Sequence, residues 1–152
     1  MRRFFTTCFI LILFFACTDD YDNPIPSYPV YIEVDFQTPR DKDLKGTPSF
    51  CVYTPKNKKA RESIGFGGVL VVNTIYNEYK AFDLSCPNET NRNVIVEVQD
   101  DLNAVCPTCG SKFEVILNSS SGICIGGATK YSLRSYYVIR NGNNGLYVRN
   151  SQ

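Results

Sequence analysis

Apolar residues in this chain recur at every second position, and that alternation limits what it can fold into. In "YPVYIEVDF" Val30, Ile32, Val34 and Phe36 fall on one face of an extended segment, while Tyr31, Glu33 and Asp35 fall on the other. That is the pattern of a strand with one buried side. Runs of similar character recur at "SFCVYT", "GVLVVNT", "YKAFDLS", "NVIVEVQ", "SKFEVIL", "SYYVIR" and "GLYVRN". Between them stand Gly, Asn, Asp and Pro, which interrupt strands and open turns. No stretch of a dozen residues carries a helical stripe. "NGNNG", Asn141 to Gly145, joins the last two runs and supplies the positive φ angles of a hairpin turn. The expectation is an all-β domain, an antiparallel sandwich or barrel, without internal repeats or low-complexity tracts.

The 152 residues, 43% hydrophobic and 13% aromatic, suit one compact domain with a modest core. Sixteen basic residues stand against fifteen acidic ones, so no excess charge selects a nucleic acid or a polyanionic substrate. "PKNKKAR", Pro55 to Arg61, is the one basic cluster; flanked by strands, it reads as a solvated hairpin loop, with anion binding as the alternative.

The first residues address the chain to export. "MRRFFTTCFILILFFAC" has Arg2 and Arg3, then an apolar run from about Cys8 to Phe15, then Ala16 just before Cys17. These are the parts of a cleaved signal, and the run is too short for a stable transmembrane helix. A cysteine directly after the cleavage point resembles a bacterial lipoprotein signal, in which residues 1–16 are removed and Cys17 is lipidated; the alternative is a plain secretory signal. Residues 17–29, "CTDDYDNPIPSYP", are acidic and then rich in proline, which holds a chain extended, so they read as a tether to a domain over residues 30–152. Asp19, Asp20 and Asp22 resemble the signal that sends some Bacteroidota lipoproteins to the cell surface. The localisation implied is the bacterial outer membrane, periplasmic or surface-exposed. Asn88-Glu89-Thr90 and Asn118-Ser119-Ser120 match the glycosylation sequon, which carries no weight in a bacterial lipoprotein.

Beyond Cys8 and Cys17 five cysteines remain: Cys51, Cys86, Cys106, Cys109 and Cys124. Three sit in two turn-like segments that each open with Cys-Pro after a strand, "SCPNE" and "VCPTCGS", giving the layout C-x-N-x17-C-x-x-C. This resembles the Rieske iron–sulfur family, whose cluster is held by C-x-H on one loop and C-x-x-H on a second. Cys86 and Cys106 match the family's cysteines, Asn88 and Cys109 stand where its histidines belong, and Gly110-Ser111-Lys112-Phe113-Glu114 follows in register. "GICIGGATKYSLRSYYV", Gly122 to Val138, looks like the family's later Gly-Pro-Ala segment, and "GVLVVNTIYNEYKAFDLSCP" reads like its approach to the first loop. The match spans about Gly65 to Tyr147 and is especially similar to Bacteroidota lipoproteins with Cys-Gly-Ser in the second loop. It implies a Rieske-like antiparallel β-sandwich with a small two-loop tip subdomain, in which Gly110, Ser111 and Phe113 shape the second loop.

The family's chemistry does not transfer with its shape. Two thiolates and two imidazoles hold a Rieske cluster, and the chain contains no histidine. An all-cysteine cluster needs four thiolates; Cys86, Cys106 and Cys109 supply three, leaving Asn88 or a recruited Cys51 or Cys124 as the fourth ligand. Zinc held by four cysteines is the other metal reading, but zinc ribbons carry a second close cysteine pair and Cys86 has none. The resemblance also implies that Cys86 and Cys106, which would share one iron, lie within disulfide reach in an oxidising compartment. Cys106-Pro107-Thr108-Cys109 as a redox C-x-x-C would call for a following helix, and "SKFEVIL" reads as a strand.

The favoured expectation is therefore a lipid-anchored, non-catalytic binding or structural module with a degenerate Rieske-like domain, no cofactor, and an unidentified envelope or extracellular ligand. An electron-transfer protein with a 2Fe-2S cluster and a structural zinc site are the alternatives. The missing histidine removes the commonest general base, and no triad, carboxylate pair or phosphate loop is visible. Replacing Cys17 with Ser is expected to release the protein from the membrane fraction; retention there, with unchanged processing, would count against the lipid anchor.

Overall fold

A computed structural model describes residues 23–117 and 122–150. The signal segment, Cys17, the acidic cluster and the Asn118 sequon lie outside the described residues. In chain order the strands are β1 (Val30–Asp35), β2 (Ser49–Tyr53), β3 (Ser63–Ile64), β4 (Val69–Asn73), β5 (Tyr79–Asp83), β6 (Glu97–Val98), β7 (Asn103–Val105), β8 (Lys112–Glu114), β9 (Ile123–Gly126), β10 (Ser135–Asn141) and β11 (Gly145–Arg149), with a 3-10 turn at Lys42–Lys45. The chain is all-β, and its ladders are antiparallel.

Seven strands form one sheet in the order β2-β4-β5-β10-β11-β1-β3, and β6-β7-β8-β9 form a second. The larger sheet is nearly closed, like a barrel. β1 buries Val30, Ile32 and Val34 as its alternation requires. β4 is buried at every position. Val69 and Val71 join a core inside the large sheet with Ile32, Leu146 and Val148. Leu70 and Val72 face the other way, into a second core with Phe82, Leu84, Phe113, Val115 and Ile116. The small sheet thus docks on the outer face of β4 and β5.

β3, β7 and β9 escape the periodicity argument because they hold two, three and four residues, too few for a period of two to stand out. "NVIVEVQ" contributes only Glu97–Val98 as strand, and its earlier part reaches β5's end through a single bridge, Ser85 to Ile95. Pro55 to Arg61 is not a hairpin loop, since β2 and β3 share no ladder and lie at opposite ends of the sheet order. It crosses the seam of the near-barrel instead. There Arg40 pairs with Asp41 and Glu62, each at 2.7 Å, and Lys59 Nζ donates to Glu33 O at 3.1 Å. The end of the expected tether is also held on the domain. Ile25 is buried, Arg134 donates to Ile25 O at 3.0 Å, and Asn23 Nδ2 donates to Ser132 O at 2.9 Å.

Asp83 ends β5 fully buried and accepts four hydrogen bonds. The N–H groups of Phe66 (2.9 Å), Gly67 (3.0 Å) and Ser85 (2.8 Å) and the Tyr136 hydroxyl (2.6 Å) all converge on its carboxylate. Burial, then the adjacent carboxylate, push the Tyr136 phenol well above its ordinary range, keeping it a donor. Asp83→Ala, which strands four donors, two of them in fully buried bonds, is expected to cost more than about 3 kcal/mol in urea unfolding, and Tyr136→Phe about 1.5 to 3 kcal/mol.

Candidate functional site at the tip

Two turns of the same form meet beside the small sheet. In the first, Cys86 N–H donates to Val94 O at 3.1 Å, and Cys86 O accepts from Glu89 N–H at 3.1 Å and Thr90 N–H at 3.0 Å. In the second, between β7 and β8, Cys106 N–H donates to Ser111 O at 2.9 Å and Cys106 O accepts from Gly110 N–H at 3.0 Å. Each opens Cys-Pro, where proline fixes φ and has no N–H to satisfy. Each closes on a left-handed residue four positions on, Thr90 at φ 48° and Gly110 at φ 69°. Gly110 supplies that conformation without strain. The turns curl following N–H groups back onto sulfur: those of Asn88 and Glu89 onto Cys86, and that of Ser111 onto Cys109.

The turns bring three thiols together. Cys86 Sγ and Cys109 Sγ are 3.6 Å apart, and the sulfurs of Cys86, Cys106 and Cys109 all lie within 4.8 Å of one another. Cys86 and Cys106 are buried in the second core, and Cys109 is half-buried. The arrangement is one accessible thiol above two enclosed ones, and three sulfurs so placed can hold a metal ion.

Ser111 sets the state of the accessible thiol. Its buried Oγ accepts the N–H groups of Ala128 at 3.1 Å and Thr129 at 3.3 Å, and lies 3.1 Å from Cys109 Sγ. With both lone pairs engaged, the hydroxyl proton is what remains for the sulfur. Burial pushes the Cys109 thiol up, but the hydroxyl and N–H of Ser111, with Cys106 and Cys86, outweigh it and hold the group below the usual thiol range. Cys86 goes the other way: burial pushes it up to about 12 against the N–H donors of Asn88 and Glu89.

Other expected residues fall differently. Asn88 is exposed and its Nδ2 donates to Glu89 Oε1 at 3.1 Å. By turn position the counterpart of Cys109 is Glu89, not Asn88. A fourth cysteine is not recruited. Cys51 lies against the first core with its Sγ 3.5 Å from Arg40 O, and burial raises it to about 11. Cys124 sits on β9 with its Sγ 3.3 Å from Gly126 O. All five cysteines beyond Cys17 are free thiols, with no bridge between Cys86 and Cys106. Ser111 and Phe113 are fully buried, Phe113 in the second core, while Gly110 is exposed. β8 follows Cys109 where a thioredoxin-like site would have a helix.

Gly127 is the residue whose role sequence reasoning missed. At φ 107°, a Cβ there would meet Ser111 Cα at 2.4 Å. Only glycine lets this segment pass over the second turn and deliver the two N–H groups to Ser111. The signal for it was the glycine pair, Gly126-Gly127, at the end of β9.

A cavity of about 720 Å³ opens between the seam loop and the residues before β6, bordered by Lys56, Lys58, Ile64, Phe66, Arg92 and Ile95. The Arg92 guanidinium lies over the rings of Phe66 and Tyr28 at 5.3 and 5.5 Å, presenting positive charge beside an apolar wall.

No family model, no curated protein and no solved structure matches this chain.

Because the thiolate is the nucleophile, Cys109 is expected to react with iodoacetamide before Cys51 and Cys86 and at lower pH than either. Ser111→Ala is expected to move its rate–pH profile upward, so that near neutral pH it alkylates more slowly, as read by mass spectrometry. An unmoved profile would show that the hydroxyl does not tune the sulfur.

Proposed function

We propose that this chain is a lipid-anchored envelope protein, held in the bacterial outer membrane through Cys17, whose degenerate Rieske-like domain is a non-catalytic binding module. The observation that carries the reading is the donor set at the tip. A Rieske centre requires two imidazoles, and the positions that resemble its histidines hold a thiol in Cys109 and, in Asn88, an amide bonded to Glu89. The residues present do not fit that cluster. What is retained is the part that shapes the turns: Gly110, Ser111 and buried Phe113.

The cavity supports a binding role. Lys56, Lys58 and Arg92 beside Ile64, Phe66 and Ile95 suit a ligand with an acidic group on an apolar body. A second reading, a metal held at the tip, is favoured by the three clustered sulfurs.

Two measurements test the module. Protein purified without oxygen is expected to show no Rieske absorption and no acid-labile sulfide; iron and sulfide in equal amounts would restore the electron carrier. The anionic apolar fluorophore anilinonaphthalene sulfonate is expected to bind at the cavity, and Lys56→Glu with Arg92→Glu to weaken it at least about tenfold, the factor carried by 1.4 kcal/mol. Equal binding by the double variant would remove the cavity from the proposal.

A further inference from the structure

We infer that the tip is a mononuclear site for a soft d10 cation that accepts three-coordination, Cu(I) foremost, with Cys86, Cys106 and Cys109 as its complete protein ligand set. This goes beyond the anchored module and depends neither on Cys17 nor on the cavity.

Size comes first. A metal–thiolate bond of about 2.3 Å puts three sulfurs around one ion at corners about 4 Å apart. The observed triangle, with one edge of 3.6 Å and none above 4.8 Å, closes on a single ion with small side-chain movements. It has no room for two irons and bridging sulfides within the same three sulfurs.

Ligand number comes second. Structural zinc takes four protein ligands and an iron–sulfur cluster takes four thiolates, whereas the group found among the described residues is three cysteines. The turn position that would supply a fourth is Glu89, whose carboxylate accepts from Asn88 Nδ2 and is not part of the group. Cys51 and Cys124 are engaged with Arg40 O and Gly126 O. Three sulfurs, beside which the nearest oxygen, Ser111 Oγ, is already engaged by Ala128 and Thr129, match a cation that is satisfied by trigonal thiolate coordination.

The surroundings supply what such a site needs. Three thiolates around a monovalent ion leave net negative charge, and the turns aim hydrogen-bond donors at it: the N–H groups of Asn88 and Glu89 at Cys86, and the N–H and hydroxyl of Ser111 at Cys109. Ser111 is held for that task by Ala128 and Thr129, an outer shell built around one ligand. Cys86 and Cys106 lie in the apolar second core, which limits water, while half-buried Cys109 leaves an entry path. Binding changes no oxidation state: the ion enters as Cu(I), three S–H bonds give up protons to solvent, and three Cu–S bonds form.

The test is an anaerobic titration of the reduced full chain in detergent with Cu(I) buffered by bicinchoninate, read by the chelator's colour and by thiolate-to-copper absorption in the near ultraviolet. One Cu(I) per chain is expected, with a measurable release of protons. Cys109→Ser is expected to lower affinity by more than about a hundredfold and Ser111→Ala by about 10- to 100-fold. Cys124→Ser and Glu89→Gln are expected to bind as the parent does. Circular dichroism checks folding, and should Cys109→Ser misfold, the parent chain alkylated at Cys109 replaces it. Four results would each overturn the assignment: Zn(II) held at one per chain and not displaced by Cu(I); two irons with sulfide; loss of Cu(I) binding on Glu89→Gln or Cys124→Ser; or no Cu(I) retained against the chelator. Two irons with sulfide would overturn the non-catalytic module as well; the other three results leave the membrane fractionation, the sulfide assay and the fluorophore result untouched, so on them the metal site falls while the module stands.

Discussion

A buried carboxylate must find its hydrogen bonds inside the protein, and Asp83 finds four within reach of one strand end. Their distribution matters more than their sum. Phe66 and Gly67 fix the bend that delivers β4, Tyr136 ties in β10, and Ser85 fixes the first step out of β5 toward Cys86. The packing is close enough that a Cβ on Gly67 would meet Ser85 N at 2.7 Å. Glycine is therefore required there by contact rather than by its φ. The first cysteine turn leaves the large sheet from a point at which three segments are clamped to one side chain, so the position of Cys86 is set by the sheet rather than by its own loop.

The second turn is positioned by different means that lead to the same place. β7 and β8 frame it, with Ala104 opposite Phe113 across the ladder and both side chains in the second core. β4 serves both cores through its alternate residues, so the small sheet is packed against a strand that cannot shift without disturbing the large one. Interiors packed to this degree hold their groups in place. Cys86 and Cys106 contribute to that core as small apolar side chains, and Cys109 is the one sulfur of the three left facing outward. The difference in character among chemically identical thiols thus comes from packing and from the Ser111 hydrogen bonds.

Strand class was legible because a period of two over six residues, as in Val30–Asp35, admits no other reading. β3 and β7 were not, since two or three residues carry no period, and their pairing is imposed by neighbours already in place. The seam loop deceived for a related reason. Strand, polar turn and strand in sequence look like a hairpin, but a near-closed sheet can bring its two terminal strands together without pairing them. At the tip, Cys86, Cys106 and Cys109 were legible as a group from the two Cys-Pro turns. Ser111 and Phe113 were legible through the run after Cys109. Gly127 and the fixing of Ser111 by Ala128 and Thr129 were not, because they depend on a contact between segments about sixteen residues apart. Asn88 was matched through the C-x-H spacing, two residues after Cys86. By turn position, three residues after the opening cysteine, the residue equivalent to Cys109 is Glu89.

That equivalence bears on how such a tip acquires chemistry. The Cys-Pro start and the left-handed close belong to the backbone and are common to both turns, one with Glu89 and the other with Cys109 at the third position after the cysteine. What that side chain offers decides the rest. An imidazole brings a neutral nitrogen donor and a proton that titrates near neutral pH. A thiol brings a soft donor that becomes anionic on binding, and at Cys109 the N–H of Ser111 is turned toward it. A carboxylate at the same place, as in Glu89, brings a hard donor that finds its partner in a neighbouring amide instead. The scaffold constrains where donors meet but not what they bind, and here the donors that meet are three sulfurs of unequal exposure, one of them supported by a serine whose own bonds are already complete.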